Sequence, residues 1–64
     1  MDIKDYRQKK GYTQEEVARL LDITLRYYQN IERGKQKPNV IIGLNLALIL
    51  KVNPFKLWKI KDAK

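Results

Sequence analysis

The side chains of this sequence that can do chemistry are cations, amides and carboxylates. Fourteen Lys and Arg stand against seven Asp and Glu, a formal net charge of +7, and histidine and cysteine are both absent. Without histidine the commonest general base and metal ligand are missing, and without cysteine there is neither thiolate nor disulfide. A chain of 64 residues has little volume in which to bury a lysine or carboxylate and shift its pKa. The composition therefore implies no enzyme, no metal and no cofactor. A charge of this size on a small surface suits a polyanionic partner, nucleic acid first, although it would also serve solubility alone.

Other partners fit less well. The stretch Phe55-Lys56-Leu57-Trp58-Lys59-Ile60-Lys61 mixes aromatic and basic residues but is too short to hold a lipid surface strongly. No run approaches the roughly 20 apolar residues of a membrane span, and Met1-Asp2-Ile3-Lys4 has no signal-peptide character. The expectation is a cytoplasmic protein with no membrane partner.

The elements that must carry the cations follow from apolar periodicity and capping residues. Residues 1–64 are read as a single domain, all-α, of about five short helices, near the lower size for a fold held by its core alone. The first runs from about Asp2 to Lys10, with Ile3 and Tyr6 inward and Gly11 as its stop. Thr13-Gln14-Glu15-Glu16 has the form of a capping box, so a second helix starts at Gln14 and breaks near Asp22. Thr24 caps a third helix to Arg33, which ends at Gly34. A basic loop, Lys35-Gln36-Lys37-Pro38, leads to Asn39 as cap of a fourth helix from Val40 to about Leu50. Asn53-Pro54 opens a fifth through Leu57 and Trp58, and the tail 59–64 is expected to fray.

Residues 14–33 have the spacing of a helix-turn-helix. Such a unit needs a small residue where two helices approach and apolar residues at the elbow and inner faces. Ala18 is the small residue, Val17, Leu21, Ile23, Tyr28 and Ile31 are the apolar set, and Asp22 stands at the turn. The flanking sequence adds to the pattern. Gly11-Tyr12-Thr13-Gln14-Glu15-Glu16-Val17-Ala18, followed by Ile31-Glu32-Arg33-Gly34-Lys35 and Pro38, resembles the Cro/CI-type, lambda-repressor-like helix-turn-helix family. The resemblance covers about Ile3 to Leu57.

The resemblance implies a compact five-helix DNA-binding domain with its third helix in the major groove. It implies that Leu25, Arg26 and Asn30 face base edges. Arg26 suits guanine, Asn30 suits adenine, and Leu25 can touch only a thymine methyl. Gln14 matches a phosphate-contacting position, while Tyr27 and Gln29, on flanking faces of the third helix, and the loop cations Lys35 and Lys37 would also meet phosphates. Arg7 and Glu32 match a structural ion pair. Tyr28, Asp22 and Gly43 depart from the family pattern, which places smaller aliphatic, glycine and large aliphatic residues there.

On the fourth helix Val40, Leu44, Ala47 and Leu50 are read as the inward stripe. That leaves two apolar rows, Ile41 with Leu48 and Ile42 with Ile49, as surplus. With Phe55 and Trp58 they form a candidate homodimer interface, unless the fifth helix covers them. The sequence thus points to a regulator of transcription, a repressor that binds a palindromic operator on double-stranded DNA as a homodimer. The alternative is a protein-interaction module, such as an antitoxin or accessory factor, using the apolar fourth helix.

Overall fold

The computed structural model describes residues 2–59, so most of the tail expected to fray lies outside the described residues. Five helices follow in order, α1 (Ile3–Lys9), α2 (Gln14–Leu21), α3 (Leu25–Glu32), α4 (Val40–Leu50) and α5 (Pro54–Leu57), with no strand among the described residues. The all-α, five-helix reading is correct.

Each helix starts on a side chain that accepts from an unpaired backbone N–H of the first turn. Thr13 and Glu16 form the expected reciprocal box, and Thr24, Asn39 and Asn53 cap α3, α4 and α5. Asp2 and Asp5 make a further box on α1, with Asp5 in place of the longer glutamate.

The first four helices also share one way of stopping. In each, a backbone N–H five residues on reaches back to a carbonyl of the last turn: Tyr12 to Arg7, Ile23 to Ala18, Lys35 to Asn30 and Val52 to Ala47. This bond requires a left-handed residue just before the donor. Gly11 and Gly34 take that place without strain, at φ 78° and 75°. Asp22 (φ 57°) and Lys51 (φ 56°) take it with a side chain. An aspartate is among the residues that tolerate this conformation, whereas Lys51 carries no local signal of it.

The core joins Ile3 of α1, Val17, Ala18 and Leu21 of α2, Tyr28 and Ile31 of α3, Leu46, Ala47 and Leu50 of α4, and Leu57 of α5. One expectation fails here. Gly43, Leu46, Ala47 and Leu50 are the buried side of α4, while Val40 and Leu44 are 76% and 47% exposed. Nine of the eleven α4 residues are apolar, the exceptions being Gly43 and Asn45, so hydrophobicity gives the helix no direction. Its rotation is set by packing against α2 and α5. Trp58 decides the matter locally, because its indole N–H donates to the Gly43 carbonyl at 3.0 Å. A Cβ at position 43 would sit 3.3 Å from the indole nitrogen. The large aliphatic residue usual at this position would occupy the space the indole fills.

Candidate nucleic-acid interface

The helix-turn-helix is α2, the turn at residues 22–24, and α3. Tyr28 and Ile31 fix the rotation of α3, since both are buried and lie three residues apart on one face. The opposite face is centred on Arg26, which is exposed, with the half-buried Gln29 and Asn30 three and four residues further on. Arg33, seven residues after Arg26, continues the same line at the C-cap of α3 and is also exposed. Spacing alone marks Arg33 as a fourth member of this row, which the sequence reading overlooked. Leu25 and Tyr27 are half-buried at the edges of the face, with Tyr27 packed against the core.

The loop after α3 brings Lys35 and Lys37 to the surface, both exposed. Its Gln36 amide oxygen accepts from Asn30 Nδ2 at 3.4 Å, a long bond that ties the loop to the row. Arg26, Gln29 and Asn30 therefore share one polar face of α3, and the exposed loop with Lys35 and Lys37 is tied to it through Gln36. Ile41, Leu48 and Phe55 lie on other elements and are 71%, 74% and 56% exposed. Ile42, Ile49 and Trp58 are instead half-buried and packed against the core. Part of the surplus apolar surface is thus turned toward the core, and Ile41 and Leu48 are the α4 pair left open.

Behind the polar surface lies a hydrogen-bonded cluster centred on Glu32. Arg7 Nε donates to Glu32 Oε2 at 2.5 Å, and Arg7 Nη1 donates to the Tyr12 carbonyl at 2.8 Å. The Tyr28 hydroxyl donates to the same Oε2 at 2.6 Å. Gln14 Nε2 donates to Oε1 at 3.1 Å, and Gln29 Nε2 donates to Gln14 Oε1 at 3.2 Å. Arg7 is only 8% exposed, so both charges of the pair are shielded from water. Burial alone would raise the Glu32 pKa, but hydrogen bonds from Arg7, Tyr28 and Gln14 and the Arg7 charge outweigh it and hold the carboxylate below its usual range. For Tyr28, burial and the bond to Glu32 act together and hold the hydroxyl protonated well above the usual tyrosine range. The tyrosine at a position where the family carries an aliphatic residue is thereby accounted for: the ring fills the core and the hydroxyl completes the ion pair. Its partner was legible as a residue four positions on along the same helix.

This arrangement leaves one helix face and an adjoining cationic loop at the surface, while the shielded charges among the described residues, Arg7 and Glu32, are held in structural contacts. The sequence profile of the Helix-turn-helix family matches residues 3–57. The chain belongs to this Cro/CI-type family. It is 50% identical over 45 residues to the uncharacterized HTH-type transcriptional regulator YqaF of Bacillus subtilis (strain 168). That alignment covers 70% of this chain and spans 59% of the relative. A second B. subtilis protein, the uncharacterized HTH-type transcriptional regulator YazB, is 36% identical over 86% of this chain and 80% of its own. The y4dJ regulator of the same type from Sinorhizobium fredii is 39% identical over 80% of this chain and 66% of its own.

Proposed function

We propose that the protein is a DNA-binding regulator of transcription, a repressor that occupies a palindromic operator as a homodimer with α3 in the major groove. The observation that carries this reading is the outward row of α3, where Arg26, Gln29, Asn30 and Arg33 stand beside the exposed Lys35 and Lys37. Arg26 donates to O6 and N7 of guanine and Asn30 pairs with adenine, while Leu25 meets a thymine methyl. Tyr27, Lys35, Lys37 and the remaining N–H of Gln14 hold phosphates. The reading assigns no catalysis and no cofactor, and its setting is the cytoplasm.

The dimer rests on geometry and on the apolar surface left open. One recognition helix spans only a few base pairs, too little to single out a site among roughly 10⁶ or more competitors. Two copies must hold their third helices about 34 Å apart to enter successive major grooves. Ile41 and Leu48, seven residues apart and both largely exposed, supply an apolar row for that interface, with Phe55 beside α4 on the next element. Selection of bound duplexes from a random pool tests the whole reading. A two-fold consensus with half-sites about one turn apart is the expected result, and no enrichment would overturn it.

The exposure of the same row favours a second reading, a module that binds another protein through α4 as an antitoxin or accessory factor does. Replacing Ile41 and Leu48 together with lysine separates the two. The dimer reading expects a folded monomer with much weaker operator binding; unchanged sedimentation and binding would leave the face to a different partner.

A further inference from the structure

The bonds around Glu32 impose a direction on the two glutamines at the surface, and that direction decides what Gln29 can recognise. A carboxylate only accepts, so Gln14 must turn its NH₂ toward Glu32 and its carbonyl away. Its carbonyl also only accepts, so Gln29 must turn its NH₂ toward Gln14. The Gln29 carbonyl is then left on the far side of the amide, with one N–H still unused. Oxygen and nitrogen positions in an amide are ordinarily assigned from the surrounding network, and here the network starts at a group that cannot donate. Arg7 and Tyr28 both donate to the other oxygen of Glu32, which keeps the charge in place and Oε1 free for Gln14.

A phosphate offers only acceptors, so it could take the spare N–H but would leave the Gln29 carbonyl without a donor. The sequence alone set Gln29 against phosphate, whereas the wiring leaves it an acceptor and a donor side by side, a pair that a base edge satisfies in full. In the major groove the groups that donate to a carbonyl are the amino groups of adenine and cytosine, and adenine also offers N7 to an amide N–H. Gln29 follows Arg26 by three residues, on the α2 side of the outward face, and is half-exposed. We propose that Gln29 reads an adenine edge, and that Gln14 is a positioning residue, orienting that amide through the chain of bonds anchored at Glu32. This inference rests on the DNA-binding reading and adds a base-specifying residue to it.

The test compares the wild type with Gln29→Ala and Gln14→Met on duplexes selected by the wild type, each altered at one position per half-site. Adenine in the selected site would be exchanged for each other base and for purine, which lacks the amino group. The wild type should lose affinity on removal of that amino group, by less than the roughly 5- to 150-fold of a complete bidentate contact, since N7 remains. Gln29→Ala should bind the adenine and purine duplexes alike. Gln14→Met keeps Gln29 but releases its amide, so it should show reduced preference for adenine at that position while preferences at the other positions are unchanged. Circular dichroism of each variant checks folding, and Gln29→Glu, which keeps the acceptor and loses the donor, should move the preference toward cytosine.

A Gln29→Ala variant that weakens all duplexes equally would mean a phosphate contact and overturn the assignment while leaving DNA binding intact. A Gln14→Met variant with unchanged adenine preference would overturn the relay. Failure of the wild type to select any sequence would remove the DNA-binding reading, and this one with it.

Discussion

Helices α1 to α3 and helices α4 and α5 solve the same packing problem with opposite materials. In the first three, each buried surface is narrow, and the charged and amide groups behind it are joined by specific bonds: Arg7 to Glu32 and Tyr12, Tyr28 to Glu32, Gln14 to Glu32 and Gln29. In the last two, residues 39–59 hold no carboxylate side chain at all, and α4 is apolar on nearly every face. Directional bonds fix one region and shape fixes the other. The difference matters because a hydrogen-bonded cluster holds polar groups at defined orientations, as recognition requires, whereas close-packed apolar surface specifies position but no polarity. The region that carries the proposed DNA contacts is the one with directional wiring, and the region with exposed apolar rows is the one proposed to meet a second copy.

Four measurements bear on this contrast, in order of their effect on stability. Glu32→Ala leaves the guanidinium of Arg7 shielded without its partner and the Tyr28 hydroxyl without its acceptor. It should destabilise the protein by about 3–5 kcal/mol, read from denaturant unfolding. Replacing Arg7 with Met and Glu32 with Leu together should recover much of that loss, because no orphan charge remains. If the double change were as costly as the single one, the wiring would matter through more than charge pairing.

Gly43→Leu probes the other region. The added side chain must enter space held by the indole of Trp58, whose nitrogen already lies 3.3 Å from a Cβ at this position. A cost of about 1–3 kcal/mol is expected from overpacking. The chain has one tryptophan, so its fluorescence reports the event directly, and emission should move to the red as the ring is displaced. Unchanged emission would show that α4 rotates instead.

The pH dependence should come from the first region alone. The Glu32 pKa is depressed in the folded state, so its stabilising contribution is fully present above the pKa of an unfolded glutamate. It is lost as pH falls through the lower folded value. Unfolding midpoints measured from neutral pH down through the carboxylate range should therefore fall more steeply for the wild type than for Glu32→Gln. Parallel curves would mean that Glu32 is not the group being titrated.

Arg26→Ala should have the smallest effect on stability, within about 0.5 kcal/mol for an exposed side chain. Its effect on binding is another matter. Affinity for the selected site should fall by roughly 1–3 kcal/mol while non-specific affinity holds, and Lys35→Ala should weaken all sequences about equally and flatten the salt dependence. A large loss of stability in Arg26→Ala would erase the separation between the outward row and the bonded cluster behind it.

Much of this molecule could be read locally. The caps at Thr13, Thr24, Asn39 and Asn53, the stops at Gly11, Asp22 and Gly34, and the periodicity of α2 and α3 are properties of a few neighbouring residues. Helix boundaries follow from them because first-turn donors and last-turn acceptors find partners nearby. The outward placement of Arg26 follows as well, since Tyr28 and Ile31 leave α3 one way to turn. What local pattern does not contain is the orientation of an element without a polar side, or the partner of a polar group on another element. Five helices, their starts, the stops of the first three and the solvent face of α3 were thus legible in neighbouring residues, whereas the left-handed stop at Lys51 was not. Only the tertiary structure decided that Gly43 and Leu46, not Val40 and Leu44, turn α4 inward, because Trp58 needs the space above Gly43. It also decided the polarity of Gln29, because the acceptor that sets it, Glu32, acts through Gln14 on another helix.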